Sequence, residues 1–157
     1  MTILHLTVVP FQAQQLPEIL REQISEANQT FGWTQAQSQA DFANEYAEYY
    51  VFLQGTNMLG YLGLHRIMDE ATINMIYILP SHRQKGLATD LLSFVLEQLA
   101  FREVKHLFLE VRARNIAAQR LYQKLKFQPL TVRKNYYQQP ADDAVIMQLA
   151  LKQEGGN

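Results

Sequence analysis

The chain has 157 residues, 48% of them apolar and 18% charged, with no cysteine and a formal net charge of -1. That length suits one domain, residues 1–157, able to bury roughly two-thirds of the surface its unfolded form would expose, and the composition is that of a folded rather than a disordered chain. The absence of cysteine excludes a disulfide frame, a thiolate metal site and an acyl-cysteine intermediate.

No apolar run approaches the ~18–20 residues of a membrane span, and the N-terminus has neither a basic start nor a small-residue cleavage site; a cytoplasmic protein without a membrane partner is expected. Charge is unevenly spread. Residues 1–70 carry 2 Lys/Arg against 8 Asp/Glu, a net of -6, while residues 71–134 carry 11 against 4, a net of +7. The basic half suits a polyanion, but its cations are scattered through strand and helix patterns rather than clustered, so a phosphate-bearing cofactor fits as well as nucleic acid.

Residues 2–9 alternate as a strand. Pro17 opens a helical pattern in which Leu16, Ile19, Leu20 and Ile24 share a face, and a weaker helix is expected over 34–44. Residues 49–54, 58–67 and 71–79 read as three strands joined by tight turns, an antiparallel meander whose middle strand is slightly weakened by Gly60 and Gly63. A clear helix follows over 87–101, then a strand over 106–112, a helix over 116–125 and a final strand pair around 130–137 and 144–151. Strands bunched in sequence and followed by a strand-helix-strand unit predict an α+β domain on one mixed sheet, with about seven strands and four helices.

The strand over 71–79 runs through PSHRQKGLAT into the strongest helix of the chain. A helix N-terminus leaves about four N–H groups unpaired and carries roughly half a positive charge, so a loop bearing Arg83 and Lys85 there is a natural pyrophosphate cradle, with Gly86 allowing close backbone approach. By itself the loop reads equally well as a strand-helix connection with solvated charges. Neither G-x-G-x-x-G nor a nucleotide-hydrolysing loop is present.

In HLFLEVR, alternation puts Leu107, Leu109 and Val111 on one face of a strand and Phe108 and Glu110 on the other. Glu110 is either a cleft carboxylate or one salt-bridged to Arg112 or Arg114. Asn115 stands where a helix N-cap belongs, worth ~1 kcal/mol. Tyr122 lies seven residues further, about 10 Å along the helix, on a stripe with Ala118, Leu121 and Leu125, where a core aromatic is the plain reading. Tyr136 and Tyr137 flank a QQPADD turn, as packing residues or as a clamp on an extended peptide. Glu70, Asp142 and Asp143 either favour a cationic peptide or serve as solvated turn residues. The four histidines, His5, His65, His82 and His106, show no ligand spacing and read as surface or packing residues, so no metal is expected.

Arg83-x-x-Gly86-x-Ala88 resembles the Q/R-x-x-G-x-G/A signature of the general N-acetyltransferase (GNAT) superfamily. LEVRARN, LYQKLKF, RKNYY and DDAVIM resemble the bacterial ribosomal-protein-alanine N-acetyltransferases, and the likeness covers roughly residues 31–149. The resemblance implies a GNAT-like domain with acetyl-CoA as cosubstrate, held by Arg83, Gln84, Lys85, Gly86, Leu87, Ala88 and Thr89 at its pyrophosphate, by Ile76, Tyr77 and Ile78 near its acetyl end, and by Asn115. It also implies Glu110 as proton acceptor and Tyr122 as proton donor to the departing thiolate, converging from one face of the sheet, with Phe31, Trp33, Tyr136 and Tyr137 lining the acceptor groove. The implied partner is a protein N-terminus, best matched by the N-terminal alanine of a small-subunit ribosomal protein, with no direct nucleic-acid contact. Lysine side chains or small amines are the alternative acceptors, and an acyl-CoA-sensing or scaffold protein on the same fold is the non-enzymatic alternative. Three positions depart from the family pattern: Gly32 replaces a Pro and is expected to loosen its loop, Lys126 replaces a helix-ending Gly, and Ala88 takes the permitted second-glycine position.

The chemistry favours an α-amine. With a pKa near ~8 about a tenth of it is neutral at pH 7, against less than about one part in a thousand for a lysine amine near ~10.4, a difference of roughly 3 kcal/mol in the demand on the base. A Glu of ordinary pKa ~4.3 is a weak acceptor, so partial burial that raises it, with a water relaying the proton, is expected at Glu110. The oxygen that turns negative needs a donor, expected from a backbone N–H near Tyr77 or Ile78 where strand pairing splays.

Overall fold

The computed structural model describes residues 6–138 and 140–152; residues 2–5 of the expected first strand, and His5, lie outside the described residues. Seven strands form one sheet: β1 (Leu6–Gln12), β2 (Ala47–Gln54), β3 (Asn57–Ile67), β4 (Glu70–Ile78), β5 (His106–Arg112), β6 (Gln128–Gln138) and β7 (Ala141–Ala150). Their order is β1-β2-β3-β4-β5-β7-β6, so the last strand slots between β5 and β6. Every neighbouring pair is antiparallel except β4 and β5. Pro10 sits in edge strand β1, where the missing N–H faces no ladder partner.

Helices α1 (Glu18–Asn28) and α2 (Gln35–Phe42) cover one face, and α3 (Leu87–Phe101) and α4 (Ile116–Lys124) the other. In α1 the buried row is Leu20, Ile24 and Ala27, continuing from Leu16; Ile19, expected on that face, falls one step off it and is 63% exposed. Thr34 opens α2 with a capping box: its hydroxyl accepts from the Gln37 N–H while the Gln37 side chain accepts from the Thr34 N–H. The α3 stripe of Leu87, Leu91, Leu92, Val95 and Leu99 packs on Leu62, Leu64, Ile73, Leu107 and Leu109 from the sheet. Behind β2, Glu48 is buried beneath two guanidiniums: Arg102 donates to both its oxygens at 2.6 and 2.9 Å, and Arg66 Nε donates at 3.0 Å. Burial opposes the Glu48 charge, but those hydrogen bonds outweigh it and hold the carboxyl below its ordinary range.

One bulge decides the geometry of the site. Leu64 pairs with Ile73 and Gly63 with Met75, so Asn74 is an extra residue in β4. Ala71 and Ile73 face α3, but beyond the bulge Met75 and Tyr77 face α1, while Ile76 and Ile78 take the α3 side. Pairing of β4 with β5 stops at the same point, after Ile73 and Leu109. A bulge sharpens local twist, and here the last five residues of β4 leave β5 and open a wedge in the sheet. Gly63 lies beside it for lack of room: a Cβ there would stand 3.0 Å from the Tyr49 ring and 3.3 Å from Met75.

Candidate active site

The wedge is lined by main chain on one side and by Glu110 on the other. The Leu79 N–H donates to the Leu59 carbonyl at 2.8 Å, so strand alternation turns Tyr77 and Met75 toward β3 and aims the amides of Ile76 and Ile78 into the opening. Of the two donors expected at the splay, Ile78 is therefore the one so aimed, joined by Ile76. The Ile78 carbonyl is engaged by Arg83, whose Nε donates to it at 2.8 Å.

Arg83 anchors the loop that follows; its guanidinium lies 5.5 Å from the Tyr77 ring centroid. Gln84 (φ 64°) and Gly86 (φ 77°) are left-handed, and a Cβ at Gly86 would meet nothing within 4 Å, so its need is conformational. Gly86 is the N-cap of α3 and no side chain caps that end. The first N–H groups of a fifteen-residue helix are thus left to an anion, beside Lys85, and this is the fit required of a pyrophosphate. Leu87 is buried into the core, while Ala88 and Thr89 are half-buried at the first turn.

On β5, Glu110 points away from α4 and is exposed, with 33% of its side-chain surface in solvent, rather than partly buried as expected. Its Oε1 lies 3.5 Å from Arg133 Nη1 on β6, not against Arg112 or Arg114. Arg112 instead stacks 4.1 Å over the Tyr137 ring and donates to the Pro140 carbonyl at 2.8 Å. The Glu110 carboxylate, bonded to the Tyr136 hydroxyl, pushes that phenol up; burial and then the same charge push up Tyr137. Tyr136 and Tyr137 meet edge-to-face at 5.1 Å beside Glu110.

Asn115 caps α4 as expected, its Oδ1 accepting from the Ala118 N–H at 3.0 Å. The other end of α4 is a Schellman motif: Phe127 N–H donates to the Tyr122 carbonyl and Lys126 N–H to the Gln123 carbonyl, each at 3.0 Å, with Lys126 left-handed at φ 78°. The Tyr122 and Phe127 rings pack at 5.8 Å, and burial, with a smaller effect from Tyr137, pushes the Tyr122 phenol up to about 12. Tyr122 lies in the α3 side of the core, whereas Glu110 lies on the α1 side. The expectation that both occupy one face is therefore corrected: they lie on opposite faces of the sheet, because Glu110 alternates against Leu109 and Val111, which pack on the Tyr122 side.

Phe31 packs edge-to-face on Tyr77 at 6.0 Å, and Trp33 packs against the same α1-side core. The Tyr77 side chain thus belongs to the wall with Phe31, because the Asn74 bulge turned it there. Gly32 between them has φ 84°, a conformation closed to proline, so this loop is turned rather than merely loosened. Asp143 accepts from the Asn135 N–H at 2.8 Å and Asp142 from the Arg114 N–H at 3.1 Å, so both acids pin the hairpin; Glu70 begins β4, at the end away from the wedge. His65, read as a surface or packing residue, pairs with buried Asp41 at 2.5 Å. Sequence reasoning missed Arg133; its two-residue alternation with Thr131 opposite Ile146, the strand partner of Glu110, was visible only once β7 was known to lie between them.

A wedge between two parallel strands, an uncapped helix beyond a left-handed loop and a carboxylate on the strand beside the opening fit an acyl-CoA-dependent transferase. The chain belongs to the acetyltransferase (GNAT) family, whose model matches residues 14–127. It is 35% identical over 133 residues to the [ribosomal protein bS18]-alanine N-acetyltransferase of Escherichia coli K12, covering 82% of this chain and 87% of that one. The crystal structure of the ribosomal-protein-S18-alanine N-acetyltransferase from Escherichia coli superposes with a TM-score of 0.85 at 29% identity over 98% of both chains. At the level of fold alone, a GNAT family acetyltransferase from Elizabethkingia anophelis with acetyl-CoA bound matches with a TM-score of 0.73 at 16% identity, over 93% of this chain and 98% of that one. No described helix is long and apolar enough to cross a membrane.

Proposed function

We propose that this acetyltransferase modifies the α-amine of an N-terminal alanine on a small-subunit ribosomal protein. The observation that supports the reaction is the wedge itself, where β4 leaves β5 and the Ile76 and Ile78 amides lose their strand partner, with Glu110 next to it on β5. Acetyl-CoA, when bound, supplies the activated acyl carbon as a thioester. The α3 N-terminus and the Arg83–Thr89 loop hold its pyrophosphate, and Asn115 adds a contact without giving up its cap. Glu110 takes the proton of the incoming ammonium through a water, on the face lined by Phe31, Trp33, Tyr136 and Tyr137. The Ile76 and Ile78 N–H groups donate to the oxygen that becomes negative.

Tyr122 keeps its proton throughout the physiological range and donates it in a hydrogen bond to the departing sulfur. Full transfer from a phenol near 12 to a thiolate of ordinary thiol pKa ~8.5 runs uphill by roughly 5 kcal/mol, so the bond stabilises the thiolate and solvent completes its protonation. The acceptor assignment rests on the 35% identity to the alanine N-acetyltransferase and on the lower base demand of an α-amine.

The test is a mass readout of acetylated products from peptides with a free N-terminal alanine, from N-blocked lysine peptides and from small amines. Acetyl gain confined to the free alanine terminus is expected; gain confined to lysine or small amines overturns the acceptor assignment. Thiol release unchanged by Glu110→Gln and Tyr122→Phe overturns the catalytic roles.

A further inference from the structure

We infer that Arg133 is a placeholder for the acceptor's ammonium: it occupies the Glu110 carboxylate until the amine displaces it, and so helps to set acceptor affinity. The inference rests on the proposed role of Glu110 as the group that receives the amine.

Two arginine-glutamate contacts in this protein are built in opposite ways. Around Glu48, Arg102 uses a two-pronged fork and Arg66 adds a third bond, and only 5% of the Glu48 side chain is exposed. At Glu110 a single Nη1 of Arg133 stands at 3.5 Å, with 58% of the arginine side chain in solvent. The first arrangement is permanent; the second is easily exchanged. Arg133 does not depend on Glu110 for all its contact, since its guanidinium also lies 5.6 Å from the Tyr136 ring centroid, a cation-π contact that remains when the carboxylate is taken.

The backbone beneath it is held. Arg133 is the last regular residue before the β6 bulge, where Asn135 is left-handed at φ 54° and its N–H is bonded to Asp143. Exchange therefore requires side-chain rotation alone.

The charged and titratable groups around Glu110 are Arg133, Tyr136 and Tyr137 on β6, Arg112 on its own strand and Asp142 on β7. Arg112 is committed to Tyr137 and Pro140, Asp142 accepts from the backbone N–H groups of Arg114 and Asp143, and both phenols are raised. Arg133 is thus the cation set against the carboxylate, and the acceptor ammonium is its competitor. With a pKa near ~8 the α-amine is about nine-tenths charged at pH 7 and about one-tenth charged at pH 9, so competition belongs to the lower pH.

Steady-state kinetics with the free alanine-terminal peptide, at pH 7 and pH 9, compare the wild type with Arg133→Gln and Arg133→Lys. Arg133→Gln is expected to lower the acceptor KM at pH 7 by about two- to fivefold, the range of an exposed ion pair, with kcat and the acetyl-CoA KM unchanged and the difference gone at pH 9. Arg133→Lys keeps the charge and retains the wild-type acceptor KM. An unchanged KM in Arg133→Gln, a fall in kcat instead, a difference that persists at pH 9, or a lysine variant that behaves like glutamine overturns the placeholder role. Absence of turnover in the wild type strikes the proposed reaction itself, and this inference with it.

Discussion

Replacing Lys126 with glycine should stabilise the protein without altering its chemistry. Lys126 occupies the left-handed position of the Schellman motif that ends α4, at φ 78°. For a residue with a Cβ that conformation costs about 1–2 kcal/mol. Against the relief stand the greater freedom of glycine in the unfolded chain, about 0.4–1 kcal/mol, and a few tenths from removing a cation near a helix C-terminus. The Lys126 side chain is exposed and makes no ion pair among the described residues, so no packing is lost. With the middle of each range the net gain is about 0.5 kcal/mol, which for a domain of this size raises Tm by about 1–2 °C. Urea denaturation and thermal melts of wild type, Lys126→Gly and Lys126→Ala measure it. Alanine retains the Cβ and should gain nothing. Equal stabilisation by both variants, or none by glycine, would refute the strain account.

Glu110→Gln should lower kcat/KM for the acceptor by about a hundredfold to ten-thousandfold, the range for a general base, while calorimetric binding of acetyl-CoA is unchanged. Gly86→Ala meets no steric neighbour, so only its backbone is strained; the acetyl-CoA KM should rise about five- to tenfold with the acceptor KM held, and an unaffected acetyl-CoA KM would remove the loop from the anion site. Stability should fall as pH rises above about 10. Burial raises Tyr49, Tyr61 and Tyr122, so the unfolded chain loses those protons while the folded chain keeps them, and each phenol contributes a slope of about 1.4 kcal/mol per pH unit. Tyr122→Phe should remove one such share between pH 10 and 12, read from urea midpoints across that window.

Much of this was open to inspection in the linear chain. The α3 stripe of apolar residues, the Asn115 cap and the alternation of HLFLEVR depend on neighbours within one or two turns or residues, and each recurs in the structure where its period puts it. The motif resemblance carried the family, and it is the source of the roles proposed for the loop, Glu110 and Tyr122. Lys126 in place of glycine was legible as an anomaly, and the helix end resolves it by accepting the strained conformation while keeping both Schellman hydrogen bonds.

Local patterning determined which segments form strands and helices, because those preferences are set by side-chain periodicity and by caps a few residues away. The tertiary structure alone decided how they meet. Nothing local marks Asn74 as an extra residue; its bulge exists only relative to β3, and it turns the Tyr77 side chain to the α1 side beside Phe31, aims the Ile76 and Ile78 amides into the wedge and coincides with the end of the pairing with β5. Likewise β7 must enter between β5 and β6 before Arg133 can reach Glu110. Register and strand order are properties of pairs of distant segments, and one residue of slip reverses every face, so only the assembled sheet could set Glu110 and Tyr122 on its opposite faces.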